Sequence, residues 1–201
     1  MLRKLACSYI KTIDGFNRGL GKIMMWGVFV MAAILLWSSI SKTFFNPSLW
    51  TLEVAQFAMV AYYVLGGPYS IQMGSNVRMD LFYAEWSVKK KAWFDAFTVL
   101  LLLFYLGVLI YGALNSTAYS LGYFGKNSLE FYWDLFIAFV TGGPSGAQDV
   151  IGYVERSPTA WRPYLWPIKL VMLIGFTLMF LQSVSELLKD IARIQDEGET
   201  V

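Results

Sequence analysis

The sequence predicts an all-α integral membrane protein. It is read with four transmembrane helices, an N-terminal interfacial helix and short periplasmic interfacial helices between spans three and four. The first observation behind this is four stretches without a charge: Ile23–Ser41, Val54–Val77, Ala96–Gly125 and Leu170–Ser185. They hold 19, 24, 30 and 16 residues, and about 20 apolar helical residues, rising about 1.5 Å each, cross hydrocarbon roughly 30 Å thick. Lys169 lengthens the shortest stretch, because its ammonium can snorkel to the headgroups. Lipid offers the backbone no hydrogen-bond partners, so such segments must be helices. The second observation is composition: 57% of the chain is hydrophobic, with 12 Tyr and 8 Trp available for interfacial belts.

The third observation is the distribution of positive charge. Arg3, Lys4, Lys11, Arg18, Lys22, Arg78, Lys89, Lys90, Lys91, Lys189 and Arg193 fall on one set of faces. Only Lys42, Lys126, Arg156, Arg162 and Lys169 fall on the other. Positive residues stay inside, so both termini are expected in the cytoplasm. No small-residue cleavage site follows the N-terminal cations soon enough for a signal peptide, so the first span is expected to stay in the mature protein.

In chain order, residues 1–20 carry Leu2, Leu5, Tyr9, Ile13, Phe16 and Leu20 at helical spacing, with Lys4, Lys11 and Arg18 repeating every seven residues on another face. This pattern predicts a helix lying flat at the cytoplasmic interface. Span one covers 21–45 and stops at Asn46-Pro47, since proline cannot continue the helix. Ser48 or Thr51 can cap span two, 52–77, and Glu53 in its first turn suits the positive end of the helix dipole. Gly66-Gly67-Pro68 removes side-chain bulk and one backbone hydrogen bond, which predicts a kink and a close helix approach. A mixed-charge crossover, 78–95, leads to span three at 96–122, whose polar end Asn115–Tyr119 is expected to project into the periplasm.

The periplasmic insert covers 126–162. Asn127-Ser128-Leu129-Glu130 has the pattern of a capping box. The run Phe131–Val140 is too short to span and reads as an interfacial helix, with Phe131-Tyr132-Trp133 anchoring it at the membrane surface. After the breaker Gly142–Gly146 a second short helix is expected around Ala147–Arg156. Trp161, Pro163, Trp166 and Pro167 return the chain into span four, 164–190, and an acidic, unstructured cytoplasmic tail is expected over 191–201.

Several chemistries are excluded. With no histidine, bis-His haem, a His-based zinc site and a histidine proton relay are unavailable. Cys7 is the single cysteine, so no internal disulfide or cysteine-held iron–sulfur cluster exists, and the thiol is expected to stay reduced on the cytoplasmic side. There is no nucleophile–base pair and no phosphate loop: Gly19-Leu20-Gly21-Lys22 lacks the spacing and the preceding strand. A net charge of +2 gives no nucleic-acid footprint. The uncharged stretches offer no ionisable pathway for a charged solute, and no internal repeat is visible. The chain therefore reads as a subunit that is not an enzyme and carries no catalytic residue, metal or cofactor.

Residues Trp50 to Tyr83 join Trp50 and Glu53 at the entry of span two to Gly66-Gly67 and then to the exit Asn76-Val77-Arg78-Met79-Asp80. This stretch resembles the small permease, the DctQ-like Q subunit, of tripartite ATP-independent periplasmic (TRAP) transporters. Trp166-Pro167 at the entry of span four and the Gln182 region are similar as well. Asn76 stands where the family usually has His, which keeps a hydrogen-bonding group and loses titration. The insert is also longer than in compact members. The resemblance implies the bacterial inner membrane, a large permease (M subunit) that performs sodium-coupled transport, and a soluble periplasmic substrate-binding protein (P subunit). The solutes it implies are small organic carboxylates. Trp50, Glu53, Gly66, Gly67, Asn76, Arg78 and Asp80 are then structural or interface candidates, and Glu130 and Asp134 are candidates for docking the binding protein. Two other readings remain: an independent small channel or transporter, and a membrane anchor for another complex.

Overall fold

The computed structural model describes residues 2–74 and 86–198, and these are predominantly helical with no strand among them. Six helices follow in order: α1 Leu2–Met25, α2 Gly27–Phe44, α3 Thr51–Gln72, α4 Val88–Ser120, α5 Ser128–Val150 and α6 Trp166–Gly198. Among the described residues, three stretches are long and apolar enough to cross a membrane: Lys4–Phe44, Trp93–Ser120 and Trp166–Ile194. The segment α3 is not among them.

Several boundaries differ from the sequence expectation. The first break falls at Trp26, whose amide turns back to the Ile23 carbonyl at 3.1 Å, so helix α1 runs past residue 20. The segment α3 stays one continuous helix through the buried Pro68. The chain after residue 190 is helical to Gly198, because α6 continues its hydrogen-bond ladder.

Asn127 does occupy the N-cap of α5, but its side chain makes no cap bond to the backbone. Instead its Nδ2 donates to Glu130 Oε1 at 2.8 Å, so the box closes side chain to side chain. Gly143, with φ +64°, interrupts α5, and the helical turns after it end at Val150 rather than near Arg156. The chain from 151 onward instead bonds back to the end of α4.

The described residues gather into two compact units. One contains residues 2–27, 62–74, 86–108 and 175–198. In it α1, α3 and α6 pack at glycines. Gly21 lies directly against the Tyr69 ring, and a Cβ on Gly67 would sit 2.8 Å from Met179 Sδ. A Cβ on Gly175 would sit 2.9 Å from the Val64 carbonyl oxygen. Gly66, by contrast, has nothing within 4 Å of that position. Of the glycine pair, Gly67 makes the close approach.

The other unit contains residues 28–61 and 109–174. Here α4 ends in a Schellman turn: Tyr123 N donates to Ala118 O at 3.1 Å and Gly122 N to Tyr119 O at 3.0 Å. Gly122 holds φ +88°, and a Cβ there would strike the Gly152–Tyr153 backbone at 2.5 Å. The return loop uses that room, with Gly152 N donating to Leu121 O and Glu155 N to Ser120 O, both at 3.0 Å. Thr117, Ala118 and Ser120 are therefore buried beneath it, where the sequence suggested a projecting polar end.

Candidate functional site

The densest polar constellation lies in the first unit, between α1 and α6. Asp14, Asn17 and Gly21 follow one stripe of α1 at helical spacing, and Gln182, Ser185, Glu186 and Lys189 follow one stripe of α6. Lys189 Nζ lies 2.6 Å from Asp14 Oδ2 and 2.7 Å from Glu186 Oε1. Gln182 Nε2 donates to Asp14 Oδ1 at 2.9 Å and to Glu186 Oε1 at 3.1 Å. Ser185 Oγ donates to Asp14 Oδ1 at 3.0 Å. One turn further along, the Tyr9 hydroxyl donates to Leu181 O at 3.0 Å.

The two carboxylates fix the polarity of this network. They accept only, so the Gln182 amide must turn its NH₂ toward them and its Oε1 away. Asn17 Nδ2 donates to that oxygen at 2.7 Å, which leaves Asn17 Oδ1 buried without a donor. Gln72 Nε2 donates to the Asp14 carbonyl at 3.3 Å, and its own Oε1 is likewise buried and unpaired. Asp190 is buried on the same helix and pairs with Arg193 at 3.0 Å. The arrangement holds no nucleophile and no metal cluster among the described residues. Its chemistry is that of a latch: two carboxylates, one ammonium and two amides tie α1 to α6.

The second unit is tied by a smaller ion pair. Lys169 Nζ lies 2.6 Å from Glu155 Oε2, donates to Ser116 O at 3.3 Å, and sits 5.7 Å from the Tyr119 ring centroid. The protein rather than the headgroups holds this ammonium, contrary to the snorkelling expectation. Ser38, Ser41, Ser48 and Thr51 form a hydroxyl chain with separations of 2.9 to 3.2 Å, which joins α2 to the start of α3.

The residues singled out by sequence are scattered over these elements. Trp50 is exposed ahead of α3, while Glu53 is only 4% exposed and its Oε2 has no hydrogen-bond partner. Asn76, Arg78 and Asp80 lie outside the described residues. Glu130 and Asp134 are both exposed on α5.

The aromatic run beside them departs from expectation. Phe131 is 3% exposed and stacks on Tyr123 with centroids 5.0 Å apart. The Tyr132 hydroxyl donates to Leu114 O at 2.9 Å, and burial pushes its pKa up, so it stays a protonated donor. Only Trp133, 64% exposed, turns outward. The short helix docks on its own chain through Phe131 and Tyr132, because a helix turns successive residues by about 100° and cannot present three neighbours on one face.

Sequence reasoning missed the latch. Its signal was present as a polar-polar-small stripe on α1 facing a Gln-Ser/Glu-Lys stripe on α6. The apolar periodicity of Leu2 to Leu20 hid it, and Leu5 and Phe16 of that pattern point outward.

Comparison with known families identifies one match. The model for the DctQ component of tripartite ATP-independent periplasmic transporters covers residues 31–143, more than half of the 201 residues. No curated protein and no solved structure matches the chain. The DctQ family is one of transporter components, not of enzymes. With the apolar helices, it points to a membrane protein of the bacterial inner membrane. The chain belongs to the DctQ family, the small permease component of TRAP transporters.

Proposed function

We propose that this chain braces the fixed scaffold of a large permease during sodium-coupled, binding-protein-dependent uptake of a small organic acid. The match over residues 31–143 is the observation that carries this reading. The latch supports it, since charge-assisted hydrogen bonds between α1 and α6 hold the two helices together. In this reading the chain binds neither solute nor cofactor itself, and sodium is bound by the large permease.

Four spans with both termini cytoplasmic belong to the same proposal. The helix α3 has 22 residues, about 33 Å at 1.5 Å each, which is enough to cross. Thr51, Glu53 and Pro68 are buried, so these three turn toward protein rather than lipid. Trp50 and Gly66, with Asn76, Arg78 and Asp80, are the proposed contacts to the large permease, and the buried Glu53 is proposed as a structural residue. Gly67 is already occupied by Met179 and keeps a structural role. Exposed Glu130 and Asp134 are the proposed docking charges for the soluble binding protein.

Co-expression of this chain, affinity-tagged, with an untagged large permease tests the assignment. Stoichiometric recovery of both through size exclusion is expected. Recovery of the tagged chain alone, folded and monodisperse, contradicts it.

A further inference from the structure

The first turns of α4 carry a groove of about 820 Å³ lined by Trp86, Ser87, Lys90, Trp93, Phe94 and Phe97. That is the size range of small-molecule pockets. Four of the six lining residues are aromatic, and Lys90 is the only charged one. Lys90, Trp93, Phe94 and Phe97 follow one another at helical spacing, so they form one stripe. Trp93 and Phe97 are each 61% exposed, and Trp86 meets Phe94 edge-on at 5.3 Å. The acid on this turn, Asp95, is half-buried off that stripe, within electrostatic reach of Asp190.

The position of the groove defines what fits it. The apolar stretch Trp93–Ser120 begins here, so the groove straddles the end of a membrane-crossing helix. Trp86 and Ser87 lie on its polar side and Phe97 on its apolar side. An occupant must therefore be apolar along one part and anionic at the other, at the level where Trp and Lys side chains meet headgroups. A purely apolar chain leaves Lys90 unanswered, and a free anion leaves four exposed aromatic rings uncovered.

We infer that this groove is a binding site for one anionic phospholipid, with the phosphate at Lys90 and Ser87 and an acyl chain along Trp93, Phe94 and Phe97. A cation near an anionic lipid surface is worth about 1 kcal/mol, or roughly five-fold in affinity. Lys90 thus supplies a preference over zwitterionic lipid, and the rings supply retention. The inference requires only that α4 lie in a membrane and is independent of the partner permease.

The full-length chain in mild detergent is titrated with dioctanoyl phosphatidylglycerol or dioctanoyl phosphatidylcholine, and bound lipid is counted by native mass spectrometry. One phosphatidylglycerol is expected at about five-fold lower concentration than phosphatidylcholine. Lys90→Gln should remove that preference. Trp93→Ala, if it melts like the parent, should weaken both lipids. Lys11→Gln on α1 should change neither. Equal binding of the two lipids, or no binding of either, overturns the inference. So does an unchanged preference in Lys90→Gln, or an equal loss in Lys11→Gln. Displacement of the lipid by millimolar inorganic phosphate also overturns it, since the site would then be one for a free anion.

Discussion

Asp14 of α1 receives the ammonium of Lys189 from α6 at 2.6 Å, and the Asp14 carboxylate also accepts from Gln182 and Ser185. One carboxylate near the start of the chain thus collects three donors from near its end. Removing Lys189 leaves two partly buried carboxylates, Asp14 and Glu186, without their shared cation, and removing Asp14 leaves Lys189 with Glu186 alone. Asp14→Ala and Lys189→Ala are each expected to destabilise the purified chain by about 1–3 kcal/mol. The double variant should lose clearly less than the sum of the two. Thermal unfolding of the four proteins measures this, and additive losses would show that the two groups do not interact.

The glycine contacts separate two neighbours that the sequence treats alike. Gly67→Val drives side-chain carbon into Met179 and should cost about 1–3 kcal/mol through overpacking. Gly66→Ala meets open space, and should be neutral or stabilising by up to about 1 kcal/mol from helix propensity. Melting temperatures of the two variants decide it, and equal behaviour would count against the close α3–α6 approach.

Lys169 and Glu155 hold the return loop against the end of α4. Lys169→Met is expected to raise amide exchange over residues 151–158 while leaving residues 166–180 protected. Hydrogen-exchange mass spectrometry reads both segments, and unchanged exchange in the loop would remove the ion pair's clamping role.

Glu53 is placed against its own stability. Its buried Oε2 finds no donor among the described residues, and an unsatisfied buried acceptor costs about 1–3 kcal/mol. Glu53→Met should therefore raise the melting temperature of the isolated chain. An unchanged or lowered melting temperature would show that this acceptor carries no such penalty.

The helical class and three stretches long and apolar enough to cross a membrane were legible because hydrocarbon imposes a single strong constraint, an uncharged run of known length. Trp26 as the break was not legible, since one hydrogen-bonded turn has no period. The α1–α6 latch escaped because a dominant apolar stripe conceals a polar one sharing its helix, and pairing distant stripes needs the tertiary fold. Phe131 and Tyr132 were misplaced for a related reason. Aromatic residues suit both an interface and a core, and composition alone does not choose between them. Gly67 could be told from Gly66 only by what faces it.

Under the proposed function this chain does no transport alone, and the large permease depends on it. Solute uptake into proteoliposomes is measured with the permease, the soluble binding protein and a sodium gradient, with and without this chain. Uptake is expected only when all three proteins are present, and none from this chain by itself. Full-rate uptake without this chain, or uptake by this chain alone, would contradict it.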